Sequence, residues 1–232
     1  MYNYLVVETI AYPVGPHRAA SLLGVVICVV LSACVGPNRL DANGNREFYV
    51  PEEVKAALAS APSCCATMAD FHYESLRLGA SNNVSVDAKR PAFPFESGKS
   101  YFVAYALPVS PTTTNIRVKS WFSGWAFFPN LLLLDQRFSP VRVIGAPDVR
   151  YIAPGWTTGD GHVEATCDIS PTDSARYLVI FTTAADMNKR AETKDAPDML
   201  VTKSVAVFSP GGQHSNDYGP TGTLEITTSS QR

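Results

Sequence analysis

The chain has 232 residues, of which 46% are hydrophobic, with 21 acidic side chains against 19 basic ones. That length suits one large or two small domains and is enough to enclose a sizeable core. The hydrophobic share excludes wholesale intrinsic disorder. A formal net charge of -2 excludes a broad electrostatic attraction to nucleic acid or to anionic membrane surfaces.

The N-terminal part of the chain carries the features of a secretory signal. Residues 22–31 form an uncharged apolar run, Arg18 precedes it, and Leu31-Ser32-Ala33-Cys34 follows the bacterial lipobox pattern. In that pattern small residues fit an extended backbone into the peptidase groove, and the cysteine thiol takes the lipid. We therefore predict a signal peptide over 1–33 and lipid attachment at Cys34. The alternative interpretation is a buried helix with an incidental cysteine.

Cleavage before Cys34 sets the predicted domain organisation. The polar segment 34–50 is rich in Pro, Gly and Asn and is expected to be a tether, with 51–232 folding as one domain. Two or more acyl chains would anchor the protein stably to a membrane. Val35 follows the cysteine where an aspartate would favour the inner membrane. The expected location is therefore the periplasmic, inner leaflet of the outer membrane.

After the tether, the chain opens with a helix pattern and continues as strands. Pro51 in the first turn, two acids and several alanines predict about two turns of helix over 51–58. Later, Thr183-Ala184-Ala185-Asp186 resembles a capping box and predicts a helical insertion over 184–194. Between and after these, short β-patterned segments alternate with turns: 84–86, 101–107, 116–122, 131–134, 141–144, 149–152, 163–169, 177–181, 201–208 and 224–228. This content predicts a mainly β fold, a single antiparallel β-sandwich.

Three cysteines remain in the predicted domain, namely Cys64, Cys65 and Cys167. An oxidising compartment allows one disulfide among them and leaves one thiol over. A bond between the adjacent pair would close a strained ring. A bond from either of them to Cys167, with Cys65 as the candidate, would close a loop of about 100 residues and stabilise the domain. The alternative is that these thiols are free and buried.

Several segments resemble a known family. Residues 125–136 place aromatic residues, Pro-Asn, an aliphatic run and an aspartate in the order found in the maltose-operon periplasmic protein (MalM) family, and 177–183 with the helix after it is similar to its second block. Residues 95–102, the Cys64-Cys65 pair before Phe71-His72-Tyr73, and 219–224 also fit, so the resemblance covers about 51–228.

The resemblance implies a periplasmic, non-enzymatic protein associated with maltose or maltodextrin uptake. The lipobox predicts a lipoprotein member of that family. Because the chain ends soon after the last predicted strand, we also expect it to lack a longer C-terminal extension.

Catalytic and metal-binding patterns are sparse. The predicted domain has three histidines, and no serine sits in a Gly-x-Ser-x-Gly elbow. Asp160, His162 and Glu164 form the best polar cluster, since residues two apart on a strand face the same way and can share a proton or a metal. The alternative is a solvated strand face beside a Gly-rich turn. We expect no catalytic residue, no metal and no cofactor.

The tryptophans are the candidate ligand surface. Proteins hold sugars by stacking them on aromatic rings, with polar groups directed at the hydroxyls. Trp121 faces outward beside Arg117 and Lys119 if the residues alternating with them, Ile116, Val118, Ser120 and Phe122, face inward. We predict Trp121, Trp125 and Trp156 as a platform; the alternative is that they fill the core.

Two functions follow from these predictions. The first is a non-catalytic accessory lipoprotein of carbohydrate transport that binds a neutral oligosaccharide. The second is a structural or protein-interaction lipoprotein of the outer-membrane envelope, which has no sugar ligand and presents an apolar patch to another envelope protein. Nucleic acid is not an expected partner of either.

Overall fold

The computed structural model describes residues 38–42, 45–153, 161–194, 198–201, 206–209 and 213–230. The chain divides into two compact units, Met1–Val35 and Gly36–Arg232, and the described residues all belong to the second. Cys34 and Trp156 lie outside the described residues. Within the described ranges, no helix is long and apolar enough to cross a membrane.

The secondary structure of the described residues is mainly β. Its helices are α1 (Glu52–Ser60), α2 (Ala184–Met187) and a single 3₁₀ turn at Met68–Asp70. Its strands are β1 (Asn38–Leu40), β2 (Arg46–Phe48), β3 (Glu74–Ser75), β4 (Ser81–Val86), β5 (Ala92–Phe95), β6 (Gly98–Tyr101), β7 (Val103–Ala106), β8 (Thr114–Trp121), β9 (Ala126–Phe127), β10 (Asn130–Leu134), β11 (Pro140–Ile144), β12 (Arg150–Ile152), β13 (His162–Ile169), β14 (Tyr177–Phe181), β15 (Arg190–Lys194), β16 (Asp198–Val201), β17 (Ala206–Ser209), β18 (Gln213–Gly219) and β19 (Gly222–Ser230).

These strands pair into three five-stranded sheets and two hairpins. The first sheet has the order β11-β10-β14-β7-β3, and the second has the order β12-β13-β8-β19-β4. The third runs β1-β2-β18-β15, with β9 also paired to β18. Three strand pairs, β3–β7, β2–β18 and β9–β18, are parallel. The mainly β prediction is confirmed, but several sheets with some parallel pairs do not confirm a single antiparallel sandwich.

The largest core cluster draws its residues from both the first and the second sheet. Strand β8 alternates buried and less buried positions, so that Ile116 and Val118 enter this cluster. Strand β13 contributes every second residue in the same way, including Ala165 and Cys167. From the first sheet come residues such as Leu131. The period-2 pattern that predicted these strands therefore also determines which of their faces is buried.

The first sheet is covered on both faces. One face contributes to the core shared with the second sheet. The opposite face carries an aromatic cluster that includes Phe71, Phe95 and Phe181, and Phe95 stacks on Phe181 with ring centroids 4.3 Å apart. Strand β10 is buried at all five positions, because Leu131 and Leu133 enter the inter-sheet core while Leu132 and Leu134 enter the aromatic cluster. This double burial explains why the central strands of this sheet are continuous apolar runs.

The N-terminal helix is confirmed as α1, which is nine residues long. It begins after Pro51 and carries Glu52 and Glu53 in its first turn, where carboxylates interact favourably with the helix dipole. At its other end, the Lys99 ammonium donates to the carbonyls of Ala59 and Ala61. The last carbonyls of the helix are therefore capped by a residue of β6.

Three predicted segments differ from the structure. The helical insertion predicted over 184–194 is only one turn long, because β15 pairs with β18 over five residues and continues the third sheet. The strand predicted over 201–208 corresponds to parts of two strands, β16 and β17, which pair with each other. The predicted tether over 34–50 is partly structured, since β1 and β2 form a hairpin and β2 pairs with β18.

Candidate functional site

The outer face of the second sheet carries the first candidate site. Arg117, Lys119 and Trp121 alternate on β8 with residues that enter the core, so their side chains point to the opposite face. The pairing of β13 with β8 places His162 opposite Trp121 and Glu164 opposite Lys119. On the other side of β8, Glu225 of β19 also lies opposite Lys119. We call these six residues the Trp121 face: Arg117, Lys119, Trp121, His162, Glu164 and Glu225.

Trp121 is the aromatic centre of this face. Its half-buried ring lies 4.8 Å, centroid to centroid, from the imidazole of His162, which is only 4% exposed. The Lys119 ammonium lies 5.4 Å from the centre of the Trp121 ring. A cation at this distance is attracted to the ring face. Neighbours on two strands therefore hold the indole in place while part of it stays accessible.

Opposite charges lie side by side on the Trp121 face. The Glu164 carboxylate lies 3.6 Å from the Arg117 guanidinium and 3.9 Å from the His162 ring. Lys119 lies between two glutamates in register, Glu164 and Glu225. Because acids and bases alternate, the face does not select strongly for a ligand of either sign. Asp160, the third member of the predicted polar cluster, lies outside the described residues.

Metal binding has no support in the described ranges. They contain no group of three or more His, Cys, Asp or Glu side chains placed to hold a metal ion. His162 and Glu164 do lie together, as the alternation along the strand predicted, with Trp121 beside His162 and Arg117 beside Glu164.

Trp125 occupies a different environment. Its ring nitrogen donates to the carbonyl and the hydroxyl oxygen of Thr221, at 3.1 and 3.2 Å. The ring lies so close to Gly219 that a Cβ atom there would approach the Trp125 Cδ1 to 2.6 Å. No ring contact joins Trp121 and Trp125 in the described part of the chain. Trp125 is therefore half-buried against the polypeptide, and it belongs to none of the core clusters formed by the described residues.

A second polar group, which is buried rather than exposed, lies at the start of β10. The Asp186 carboxylate accepts hydrogen bonds from the Asn130 amide at 2.9 Å, the Thr183 hydroxyl at 2.6 Å and the Lys189 ammonium at 2.8 Å. Burial of Asp186 acts to raise the pKa of its carboxyl, but these three donors together hold that pKa below its ordinary value. The carboxylate is therefore fully paired in a nearly closed site.

With this geometry established, comparison with known proteins decides the family. The sequence profile of the family described as "Maltose operon periplasmic protein precursor (MalM)" matches residues 97–227, more than half of the chain. The chain belongs to the MalM family. No curated protein matches it. The family description is that of a periplasmic protein and names no enzymatic activity.

The two recognisable MalM blocks meet at the buried carboxylate. Asn130 belongs to the Pro-Asn motif of the first block, Thr183 ends the second block, and Asp186 belongs to the short helix that follows it. Strand β10 begins at Asn130, and β14 ends two residues before Thr183. The two strands pair antiparallel from Asn130↔Phe181 to Leu134↔Tyr177. The motifs that carry the resemblance to MalM therefore form one structural unit, in which the asparagine and the aspartate hold two chain segments together.

The cysteines of this MalM member do not pair as predicted. Cys64 and Cys65 form a disulfide with each other, and Cys167 is a free, buried thiol. The expected Cys65–Cys167 bond is wrong because the first sheet separates the two side chains. Cys167 lies in the core between the first and second sheets, whereas Cys65 packs against the aromatic cluster on the other face of the first sheet. The Cys64-Cys65 pair also lies outside the profile match.

The partners of Trp121 were not predicted from the sequence. The sequence presented Trp121 and the His162–Glu164 pair as separate candidates, and Glu225 was not a candidate at all. Only the pairing register of β8 with β13 and β19 brings them together. The outward alternation of Arg117 and Lys119 with Trp121 was the one signal in the sequence that pointed to this face.

Proposed function

We propose that this MalM protein is a non-catalytic accessory lipoprotein of maltose or maltodextrin transport that binds a neutral glycan on the Trp121 face. The family description supports the maltose system and the periplasm. The observation that carries the binding role is the half-buried Trp121 ring, held between His162 and Lys119 on a polar sheet face.

The chemistry of the Trp121 face suits an uncharged sugar. The apolar side of a pyranose ring stacks on an indole, and flanking charged side chains donate to and accept from its hydroxyls. Among the residues of the Trp121 face, the two bases Arg117 and Lys119 are matched by the two acids Glu164 and Glu225.

A fluorescence titration of the full chain tests this role. Maltodextrins are expected to cause a saturable change in tryptophan emission, because a stacked sugar alters the surroundings of the Trp121 ring. Trp121→Phe should remove most of that change, whereas the matched variant Trp125→Phe should keep it. An unchanged spectrum at high sugar concentration, or a response that disappears with Trp125→Phe instead, would contradict the proposal.

The membrane anchor is proposed separately, on the lipobox. We expect the protein to be anchored through acylated Cys34 in the inner leaflet of the outer membrane. In a bacterial host, Cys34→Ser should remove the protein from the outer-membrane fraction, and mass spectrometry should detect acyl chains only on the unsubstituted protein. Equal fractionation of the two forms would contradict the anchor.

A protein-interaction role is the second candidate. Strand β11 is an edge of the first sheet, and its Val141 and Val143 side chains are 45% and 58% exposed. Exposed apolar residues on an edge strand are typical of surfaces that contact another protein. Crosslinking in the envelope through a photoreactive residue at position 143 would test this role. A defined partner would favour it, and the absence of any crosslinked product would count against it.

A further inference from the structure

A small cavity lies at the end of the first two sheets, away from the residues of the Trp121 face. Two loops connect the sheets here, 107–113 between β7 and β8, and 170–176 between β13 and β14. The Leu107 amide donates to the Arg176 carbonyl at 2.8 Å, and Ile169 lies opposite Thr114 in the second sheet, so the loops are held side by side. Between them is a cavity of about 50 Å³.

The two loops carry the same tripeptide, Ser-Pro-Thr, at 110–112 and at 170–172. In the first, the Ser110 and Thr112 hydroxyls are 3.2 Å apart and the Thr112 amide donates to the Ser110 hydroxyl oxygen. In the second, the Ser170 and Thr172 hydroxyls are 2.9 Å apart and the Thr172 amide donates in the same way. Ser110, Thr112 and Ser170 line the cavity. The repeated tripeptide is a sequence signal that could have located this site.

The hydrogen-bonding capacity of these turns is not used up within them. Each Ser–Thr pair has two hydroxyl hydrogens, and a single hydrogen bond within the pair uses only one of them. One donor from each turn therefore remains for a ligand. In addition, the turn amides already occupy one lone pair of each serine oxygen, which reduces its capacity as an acceptor.

Arg176 adds positive charge to the same cavity wall. Its Nη1 donates to the carbonyls of Asp173 and Ala175, at 2.9 and 2.7 Å, which fixes the guanidinium against its own loop. Its Nε and Nη2 atoms have no hydrogen-bond partner among the described residues. The Asp173 carboxylate is engaged by the Ser170 amide at 2.8 Å.

We propose that this cavity binds a small oxyanion, a carboxylate or a phosphate group, through Arg176 and the hydroxyls of the two Ser-Pro-Thr turns. Arg176 offers only donors, and each turn has one further hydroxyl hydrogen to donate, which favours a ligand made of acceptor oxygens. A cavity needs about 10–15 Å³ to hold one water, so this one accommodates about four water-sized groups. No aromatic side chain is among its described lining residues, so it is not a second sugar platform. The proposal is independent of glycan binding.

An NMR titration of the full chain with inorganic phosphate and, separately, with acetate tests the proposal at constant ionic strength. Saturable shifts of the Thr112 and Thr172 amide signals are expected with at least one of these anions. The anion that saturates at lower concentration identifies phosphate or carboxylate as the preferred group. Shifts with neither anion, or shifts spread evenly over the surface without saturation, would overturn the proposal.

Variants locate the site. Arg176→Gln should weaken anion binding by about tenfold, because it removes the positive charge from the hydrogen bonds that the side chain donates to the anion. Arg137→Gln, an exposed arginine on the β10–β11 turn, is the matched control and should leave binding unchanged. If Arg176→Gln does not fold, Ser110→Ala should still weaken binding by about threefold or more through one lost donor. Binding that is unaffected by substitution at either site residue would overturn the assignment.

Discussion

At the scale of single residues, Asp186 has the most completely paired side chain of the MalM motifs. Its carboxylate is 4% exposed and accepts hydrogen bonds from three side chains. A carboxyl with a lowered pKa in the folded state stabilises that state above its unfolded pKa of about 3.9, and this contribution is lost as the pH falls through the folded-state pKa.

Asp186→Asn should therefore lower the free energy of unfolding by about 1–3 kcal/mol at pH 7, because a charged acceptor of three donors is lost. The difference from the unsubstituted protein should shrink as the pH falls below about 3.9, where the unfolded-state carboxyl takes up its proton first, and it should disappear once the folded-state carboxyl is protonated as well. Urea unfolding at pH 7 and pH 3 would measure both effects. Asp148→Asn, at an exposed turn, is the control and should change neither value. A deficit independent of pH would contradict the role of the charge.

Cys167 is a structural residue rather than a reactive one. Burial raises the pKa of its thiol to about 12, so the thiolate is scarce at neutral pH. Iodoacetamide at pH 8 should leave Cys167 unmodified in the folded chain and should label it after denaturation, as peptide mass spectrometry would detect. Rapid labelling of the folded chain would show that the thiol is accessible.

At the scale of elements, period-2 alternation predicted the strands that form the inter-sheet core. The segment 116–122 corresponds to β8 and 163–169 to β13, and both bury the predicted face. The apolar runs 131–134 and 177–181 correspond to central strands covered on both sides. These patterns could be read from the sequence because burial of one face produces alternation along a strand, whereas burial of both faces produces a continuous apolar run.

The third sheet could not be predicted in the same way. Its strands β1 and β2 lie in a polar segment, and their pairing depends on β18, far away in the sequence. The capping box at Thr183 correctly located the start of α2, since capping is a local interaction. The end of that helix depends on the distant pairing of β15 with β18. Local sequence does not contain that information.

Ion pairs join four strands of the third sheet. Arg190 of β15 binds Asp217 of β18 and reaches Glu47 of β2, both at 2.8 Å. Glu47 also binds Arg39 at 2.7 Å. Arg190→Gln should therefore speed amide hydrogen exchange in β2, because one link between β2 and β15 is lost.

Hydrogen-exchange mass spectrometry would measure this change, with β10 as the internal reference. Exchange in β10 should stay the same, since that strand is buried in the first sheet. Lys89→Gln, an exposed substitution distant in sequence from these pairs, should leave β2 unaffected. Equal exchange in β2 with and without Arg190 would contradict a stabilising role for the ion pairs.

At the scale of the whole molecule, two sheets enclose the main core and leave the Trp121 face on the outer side of one of them. The sequence predicted the outward direction of Trp121 because alternation along β8 is local. It did not predict that Trp125 is tied to Thr221 and packed on Gly219, because those contacts join segments almost 100 residues apart. The outward direction of the Trp121 side chain is therefore encoded locally, whereas its neighbours are set by the pairing register of β8 with β13 and β19.

Calorimetric titration with maltodextrins measures directly whether a neutral glycan binds at Trp121. The full chain should release or absorb heat that saturates at one site. Trp121→Ala should weaken the affinity by about tenfold or more, the loss expected when about 1.4 kcal/mol of aromatic contact is removed. Trp125→Phe should retain the native affinity. The absence of any saturable heat in the unsubstituted protein, or equal affinities with and without the Trp121 ring, would contradict glycan binding at Trp121.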